Sequence, residues 1–182
     1  MNITNNKLKR LGILGGTFDP PHIGHVEISK FAIKNLKLSM LIWAVTKKNP
    51  LKKLPSATLK KRVTLSKNKV RKIKKIKVIS FDKLIKSSKT INLIRYISKN
   101  TNSKIYFLMG SDNLVKLHKW HKWKDIPKLS RIVVFPRGGY LKKTLTCKAI
   151  KTLGRKKILF MKSKKIDISS SQIRKNYLRY GN

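Results

Sequence analysis

The run Gly15-Gly16-Thr17-Phe18-Asp19-Pro20-Pro21-His22-Ile23-Gly24-His25 constrains this chain more than any other stretch. The apolar residues Leu11, Ile13 and Leu14 precede it, and Val26, Ile28, Phe31, Ala32 and Ile33 follow at helical spacing. A buried strand, a glycine-rich turn and a helix N-terminus therefore arrive in that order. Such a junction offers unpaired backbone N–H groups and a partial positive charge to a nearby anion. The glycines allow a ligand to approach the backbone closely. His22 and His25, three residues apart, share one face of the first helical turn. The string reads as a phosphate site with two side-chain donors added.

Two histidines at that spacing could also be a solvated pair or half of a metal site. A structural zinc needs four ligands, and the chain holds one Cys, four His and six carboxylates in all. That supply disfavours a zinc site.

With 182 residues the chain is long enough for a substantial core, and it reads as one domain over 1–182, with 1–9 a loosely ordered N-terminus. The longest apolar run, 40–45, is too short to cross a bilayer. The polar, basic N-terminus leads straight into the glycine turn and does not read as a signal peptide. The single cysteine, Cys147, excludes an internal disulfide and fits a reducing cytoplasm. The net charge is +40, which suggests nucleic-acid binding through phosphate neutralisation. The basic residues are spread along the chain, however, and only nine of the 46 are Arg. Arg is the side chain that reads base edges, so this balance argues against sequence-specific DNA readout. Nonspecific, salt-sensitive binding is expected, and an RNA-binding role stays open as the alternative.

Short apolar runs predict strands at 11–15, 40–46, 76–81, 105–109, 132–135 and 157–161. Helical patterns fall at 23–35, 56–72, 90–99 and 111–116, with a further turn at 123–129. Ser56 after Pro55 is the expected N-cap of the second helix. A last helix opens at Ser169-Ser170-Ser171 and closes at Tyr180, before Gly181 as its C′ residue. The basic segment 67–77 reads as a solvated helix end and loop. The alternation predicts an α/β fold with a doubly wound parallel sheet and helices on both faces, ligands binding at the carboxyl ends of its strands.

A second anion site is written near the C-terminus, in Asp167-Ile168-Ser169-Ser170-Ser171-Gln172-Ile173-Arg174. Serines opening a helix can simply cap it, yet their hydroxyls and the first-turn amides can also hold a phosphate, to which Arg174 can add a planar charged donor. Together the two strings resemble the signatures of the HxGH nucleotidyltransferases, Gly-Gly-Thr-Phe-Asp-Pro-x-His-x-Gly-His and Ile-Ser-Ser-Thr-x-Ile-Arg, with Ser171 in place of Thr. Between them lie Trp43 to Lys52, Lys89-Thr90-Ile91, Gly110-Ser111-Asp112 with Trp120, and Phe135-Pro136-Arg137-Gly138-Gly139. In this order the set is similar to the bacterial nicotinate-nucleotide adenylyltransferases. Relatives that transfer to phosphopantetheine or glycerol phosphate share both end motifs but not this middle.

The resemblance implies a Rossmann-like fold, ATP and nicotinate mononucleotide as substrates, and Mg²⁺ carried by ATP. It implies that His22, His25 and Arg174 stabilise charge on the reacting phosphates. Gly15, Gly16, Thr17, Phe18, Gly110, Asp112, Arg137, Ser170 and Ser171 would line the ATP and phosphate side, and Lys52, Thr90 and Trp120 the mononucleotide side. Trp120 can equally be read as core packing, and Trp123 competes with it for the same role. Many relatives carry Pro-Pro-His-Lys where this chain has Asn49-Pro50-Leu51-Lys52, so here the loop offers Lys52 without an imidazole. Transfer to another phosphate acceptor remains a further alternative.

Overall fold

The computed structural model describes residues 9–49, 51 and 54–161. Six parallel strands form one sheet: β1 (Arg10–Gly16), β2 (Met40–Val45), β3 (Ile76–Ile79), β4 (Lys104–Gly110), β5 (Arg131–Phe135) and β6 (Ile158–Phe160). Their order is β3-β2-β1-β4-β5-β6. Winding therefore reverses between β1 and β4, which pair from Arg10↔Lys104 to Leu14↔Leu108. In open sheets of this topology the crevice at that reversal, beyond the carboxyl ends, is where ligands bind.

Strand residues alternate between two cores, as the pleat requires. Leu11, Ile13, Ile42, Ala44, Phe107, Met109, Ile132 and Val134 face one side. Leu14, Leu41, Trp43, Val45, Tyr106, Leu108, Val133 and Phe135 face the other. Helices α1 (Ile23–Asn35) and α2 (Leu59–Val70) cover the second side through Val26, Ala32 and Val70. The first side is covered by α4 (Thr90–Asn100), α5 (Ser111–Lys116), α6 (Ile126–Leu129) and α8 (Lys148–Leu153), with Ile91, Ile94, Ile97, Leu114, Ile126 and Ala149 buried. Gly12 is tightly confined: a Cβ there would lie 2.7 Å from Leu38 and 2.9 Å from Leu41. Among the described residues no helix is long and apolar enough to cross a membrane.

The doubly wound sheet agrees with expectation; several boundaries do not. The strand expected to reach 81 stops at Ile79, and Phe81–Leu84 form a short helix, α3. Asp82 in its first turn accepts hydrogen bonds from the Thr46 hydroxyl (3.1 Å) and the Lys47 N–H, which draws the chain out of the strand direction. The second helix starts at Leu59, not Ser56, with Thr58 as N-cap accepting from the Lys61 N–H at 3.3 Å. Ser56 is otherwise engaged: its N–H and hydroxyl both donate to Asp19. Two short helices, α7 (Leu141–Leu145) and α8, occupy a stretch with no clear period in the sequence. In the basic segment Lys67, Lys69, Lys72, Lys74 and Lys75 are exposed, Val70 and Ile76 are buried, and Lys77 is half-buried in β3. The helix expected from Ser169 to Tyr180 lies outside the described residues.

Candidate active site

β1 delivers its last residues into the crevice at the sheet's reversal. The chain then turns through Thr17 and Phe18, and Phe18 sits in the left-handed region at φ +49°. That conformation is strained for a bulky side chain, on the order of 1–3 kcal/mol. The ring repays the placement by packing: it is 1% exposed, stacked on Trp43 at 4.9 Å and tilted against His25 at 4.8 Å. Trp43 is tied in turn, its indole N–H donating to Ser29 Oγ at 2.8 Å while Ser29 donates to the His25 carbonyl at 2.6 Å.

His22 occupies the N-cap of α1, and His25 follows in its first turn, with ring centroids 3.8 Å apart. The His22 backbone N–H donates to His25 Nδ1 at 3.2 Å. A neutral His25 accepting there must carry its proton on Nε2, which makes the far side of its ring a donor. His22 is 5% exposed; its side chain faces the His25 backbone N–H in a capping-box arrangement, but neither ring nitrogen has a hydrogen bond of good geometry. Its pKa falls from 6.5 to about 4, first through burial and then through the positive charges of Arg137 and Lys69. Buried polar atoms without partners are rare in native interiors, so this pair of nitrogens marks a ligand position.

Across the reversal, β4 ends at Gly110, the N-cap of α5. A Cβ on Gly110 would collide with the Asp112 carboxylate, so glycine is what lets that carboxylate lie over the strand end. Asp112 pairs with Arg137 at 3.3 Å, and its other oxygen is buried without a partner. The Arg137 N–H donates to Ser111 Oγ at 3.0 Å, which ties the end of β5 to α5. At the far side, Thr90 opens α4, and Trp120 meets Phe107 edge-on at 6.1 Å.

These groups line one cavity of about 1010 Å³, a volume that holds a ligand larger than a single nucleotide. Gly15, Gly16, Thr17, Phe18, His22, His25, Thr90, Gly110, Asp112, Trp120 and Arg137 all face it, so the structure brings together every expected site residue that it describes. The two tryptophans differ in placement: Trp120 lines the cavity while packing against the edge of the core, and Trp123 is buried in the core. Lys52, Ser170, Ser171 and Arg174 lie outside the described residues. Sequence reasoning missed Asp82, Lys116, Lys119 and His121 in the lining, and missed Arg62 behind it. Only Arg62 carried a signal, being a charge on the buried stripe of its helix. Among the described residues no group of three or more His, Cys, Asp or Glu could hold a metal ion.

The profile of the Cytidylyltransferase-like family matches residues 13–176. A protein of Pelagibacter ubique named as a nicotinate-nucleotide adenylyltransferase is 46% identical over 174 residues, 96% of this chain and 97% of its own length. A protein of Rhizobium johnstonii with the same name is 38% identical over 79% of this chain and 73% of its own. The fold is similar to that of the solved Plasmodium falciparum nicotinic acid mononucleotide adenylyltransferase complexed with NaAD, with a TM-score of 0.71 and 20% identity over 92% of this chain and 83% of that one. The family profile runs through the glycine turn and the strand that opposes it, the relatives match 96% and 79% of the chain, and on that ground the chain belongs to the nicotinate-nucleotide adenylyltransferases of the cytidylyltransferase-like family.

Proposed function

We propose that this chain, acting as one nucleotidyltransferase domain in the cytoplasm, moves AMP from ATP to nicotinate mononucleotide, giving deamido-NAD and pyrophosphate. The observation that carries the reading is the buried His22 with two unpartnered ring nitrogens, set beside the His25 donor where β1 ends against β4. A 5′-phosphate oxygen of the mononucleotide attacks the α-phosphorus of ATP. The bond from that phosphorus to the bridging oxygen breaks, and pyrophosphate leaves with the electron pair. The nucleophile is already anionic near neutral pH, so no general base and no covalent enzyme intermediate are needed. What the protein supplies is alignment and neutralisation of the charge that grows on the transferring and departing phosphates.

In this reading His22 and His25 donate to the phosphates together with the first-turn amides of α1. Gly15 and Gly16 leave the turn uncovered so that the nucleotide reaches it. Asp112 takes a ribose hydroxyl on its unpartnered oxygen, and Arg137 is within reach of phosphate. Trp120 gives the pyridine ring a flat aromatic partner, and the start of α4 at Thr90 favours its carboxylate. Lys52, Ser170, Ser171 and Arg174 are assigned to phosphates from the motifs they belong to. Mg²⁺ enters as part of the ATP substrate. Asp19 and Asp82 suit no metal role, since backbone N–H groups and hydroxyls already occupy them.

The test is pyrophosphate release from ATP with Mg²⁺, run in parallel with the acid and the amide mononucleotide. A faster rate with the acid is expected. Equal or reversed rates would sink the acid preference, and no rate with either would sink the acceptor.

A further inference from the structure

Arg62 is 1% exposed, in the buried stripe of α2 with Ser66 and Val70. Its guanidinium has five N–H donors, and four of them go to backbone carbonyls. Nε donates to Ala57 O at 3.0 Å, Nη1 to Thr17 O and to Thr46 O (2.8 Å), and Nη2 to Lys47 O at 3.0 Å. These carbonyls lie where the sheet stops. The β1–β2 ladder ends at Gly16↔Val45, and the Thr46 N–H reaches back to Gly16 O at 3.0 Å. Beyond that bond neither strand has a partner for its next carbonyl, and one nitrogen of Arg62 takes both. Asp19 and Asp82 favour the buried cation electrostatically, although burial still holds its pKa below the usual guanidinium value.

Two of the four residues so gripped belong to the cavity wall. Thr17 and Thr46 line it, and Phe18 and Lys48 beside them do as well. Thr17 precedes the left-handed Phe18, so the carbonyl that Arg62 holds determines where the strained turn begins. A planar fork fixes several carbonyls at set distances from one another, whereas a lysine ammonium is a point charge that cannot.

We propose that Arg62 is a positioning residue for the phosphate-binding turn, fixing the ends of β1 and β2 so that His22, His25 and the α1 amides face the ATP phosphates in register. The inference rests on the reading of ATP as ligand given above. A misplacement of 1 Å is enough to reduce turnover about a hundredfold.

The experiment compares wild type with Arg62→Lys and Arg62→Gly. It uses calorimetric titration with Mg²⁺–ATP, steady-state kinetics with nicotinate mononucleotide, and thermal melts. Arg62→Lys is expected to fold and melt cooperatively, yet to bind ATP tenfold or more weakly and to lose about a hundredfold in kcat/KM. Millimolar methylguanidinium is expected to restore ATP affinity at least tenfold in Arg62→Gly and to leave Arg62→Lys unchanged. An Arg62→Lys protein within twofold of wild type in both measurements overturns the proposal. So does a loss in Arg62→Gly that methylguanidinium fails to recover, or failure of both variants to fold, since Arg62 would then serve only the fold. A wild type that binds ATP without using nicotinate mononucleotide overturns the acceptor reading and leaves the binding arm in force. One that binds no ATP overturns both.

Discussion

An imidazole that is buried usually finds a partner for each polar atom, because each orphan costs about 1–3 kcal/mol. His22 leaves both nitrogens open at the mouth of a helix, so fold stability is not what it serves. The depressed pKa has two consequences of opposite kind. In the unfolded chain His22 protonates near 6.5, in the folded one near 4. The stability contributed by burying the neutral ring is therefore fully present above about 6.5 and is lost as pH falls to about 4. Polyphosphate bound beside the ring as proposed would reverse the local field and raise the His22 pKa, so His22 is expected to take up a proton on ATP binding within the same window. Titrations near pH 5.5 in two buffers of different protonation enthalpy should reveal proton uptake on ATP binding. In His22→Asn that uptake should vanish, and turnover should fall by about two to three orders of magnitude with a much smaller change in ATP affinity. Equal uptake in the variant would remove His22 from the phosphate contact. A parallel fall of binding and turnover would make its role uniform binding.

At the level of elements, α2 shows how a helix boundary and a site share residues. Thr58 caps it, and beyond the cap Ser56 and Ala57 belong to Asp19 instead. Thr58→Ala should lower stability by about 1 kcal/mol in a denaturant melt. Turnover should stay within twofold of wild type, because the cap bonds to Lys61 on the solvent side of the helix and not to the turn. A collapse of turnover would show that the α2 start and the turn are one mechanical unit. The same stretch explains what could and could not be read in the sequence. Apolar runs located all six strands, and α1 and α5 fall on their expected limits, since burial on both faces of a sheet imposes its own pattern. The glycine turn and both histidines were legible because local spacing alone places them on an element, whereas Trp120, which lies on no helix or strand, was singled out only by the family resemblance. Asp82 was not, because its partners Thr46 and Lys47 lie 36 and 35 residues away. Ser56 looked like a cap for the same reason: nothing local announces a carboxylate 37 residues upstream that claims it. Arg62 left only a trace, a charge amid Leu59, Val63, Ser66 and Val70 on the inward stripe. Sequence periodicity shows that a residue is buried, and only tertiary structure shows which carbonyls wait for it.

Across the whole molecule the charge is lopsided in kind as well as in number. Of six carboxylates, Asp19, Asp82 and Asp112 line the cavity. Glu27 pairs with Lys30 at 3.3 Å, and Asp125 with Arg95 at 2.9 Å and Lys128 at 2.8 Å, surface contacts that water and salt screen. The remaining surface is an almost unopposed positive field that draws in any polyanion. If that field has no dedicated partner, RNA binding should ignore sequence and weaken steeply with salt, because it rests on counterion release. Affinities for two unrelated RNAs at several salt concentrations decide the matter: a preference of tenfold or more, about 1.4 kcal/mol, that persists as salt rises would establish a nucleic-acid partner. The order of the strands carries a different lesson. β1 meets β2 as soon as one helix has formed, but its other neighbour, β4, begins only at Lys104. During synthesis the glycine turn exists long before the wall that faces it. If the crevice binds nucleotide as proposed, capture is expected only after β4 has joined β1, and ligand at a hundred times its dissociation constant would then deepen the global unfolding free energy by about 2.7 kcal/mol.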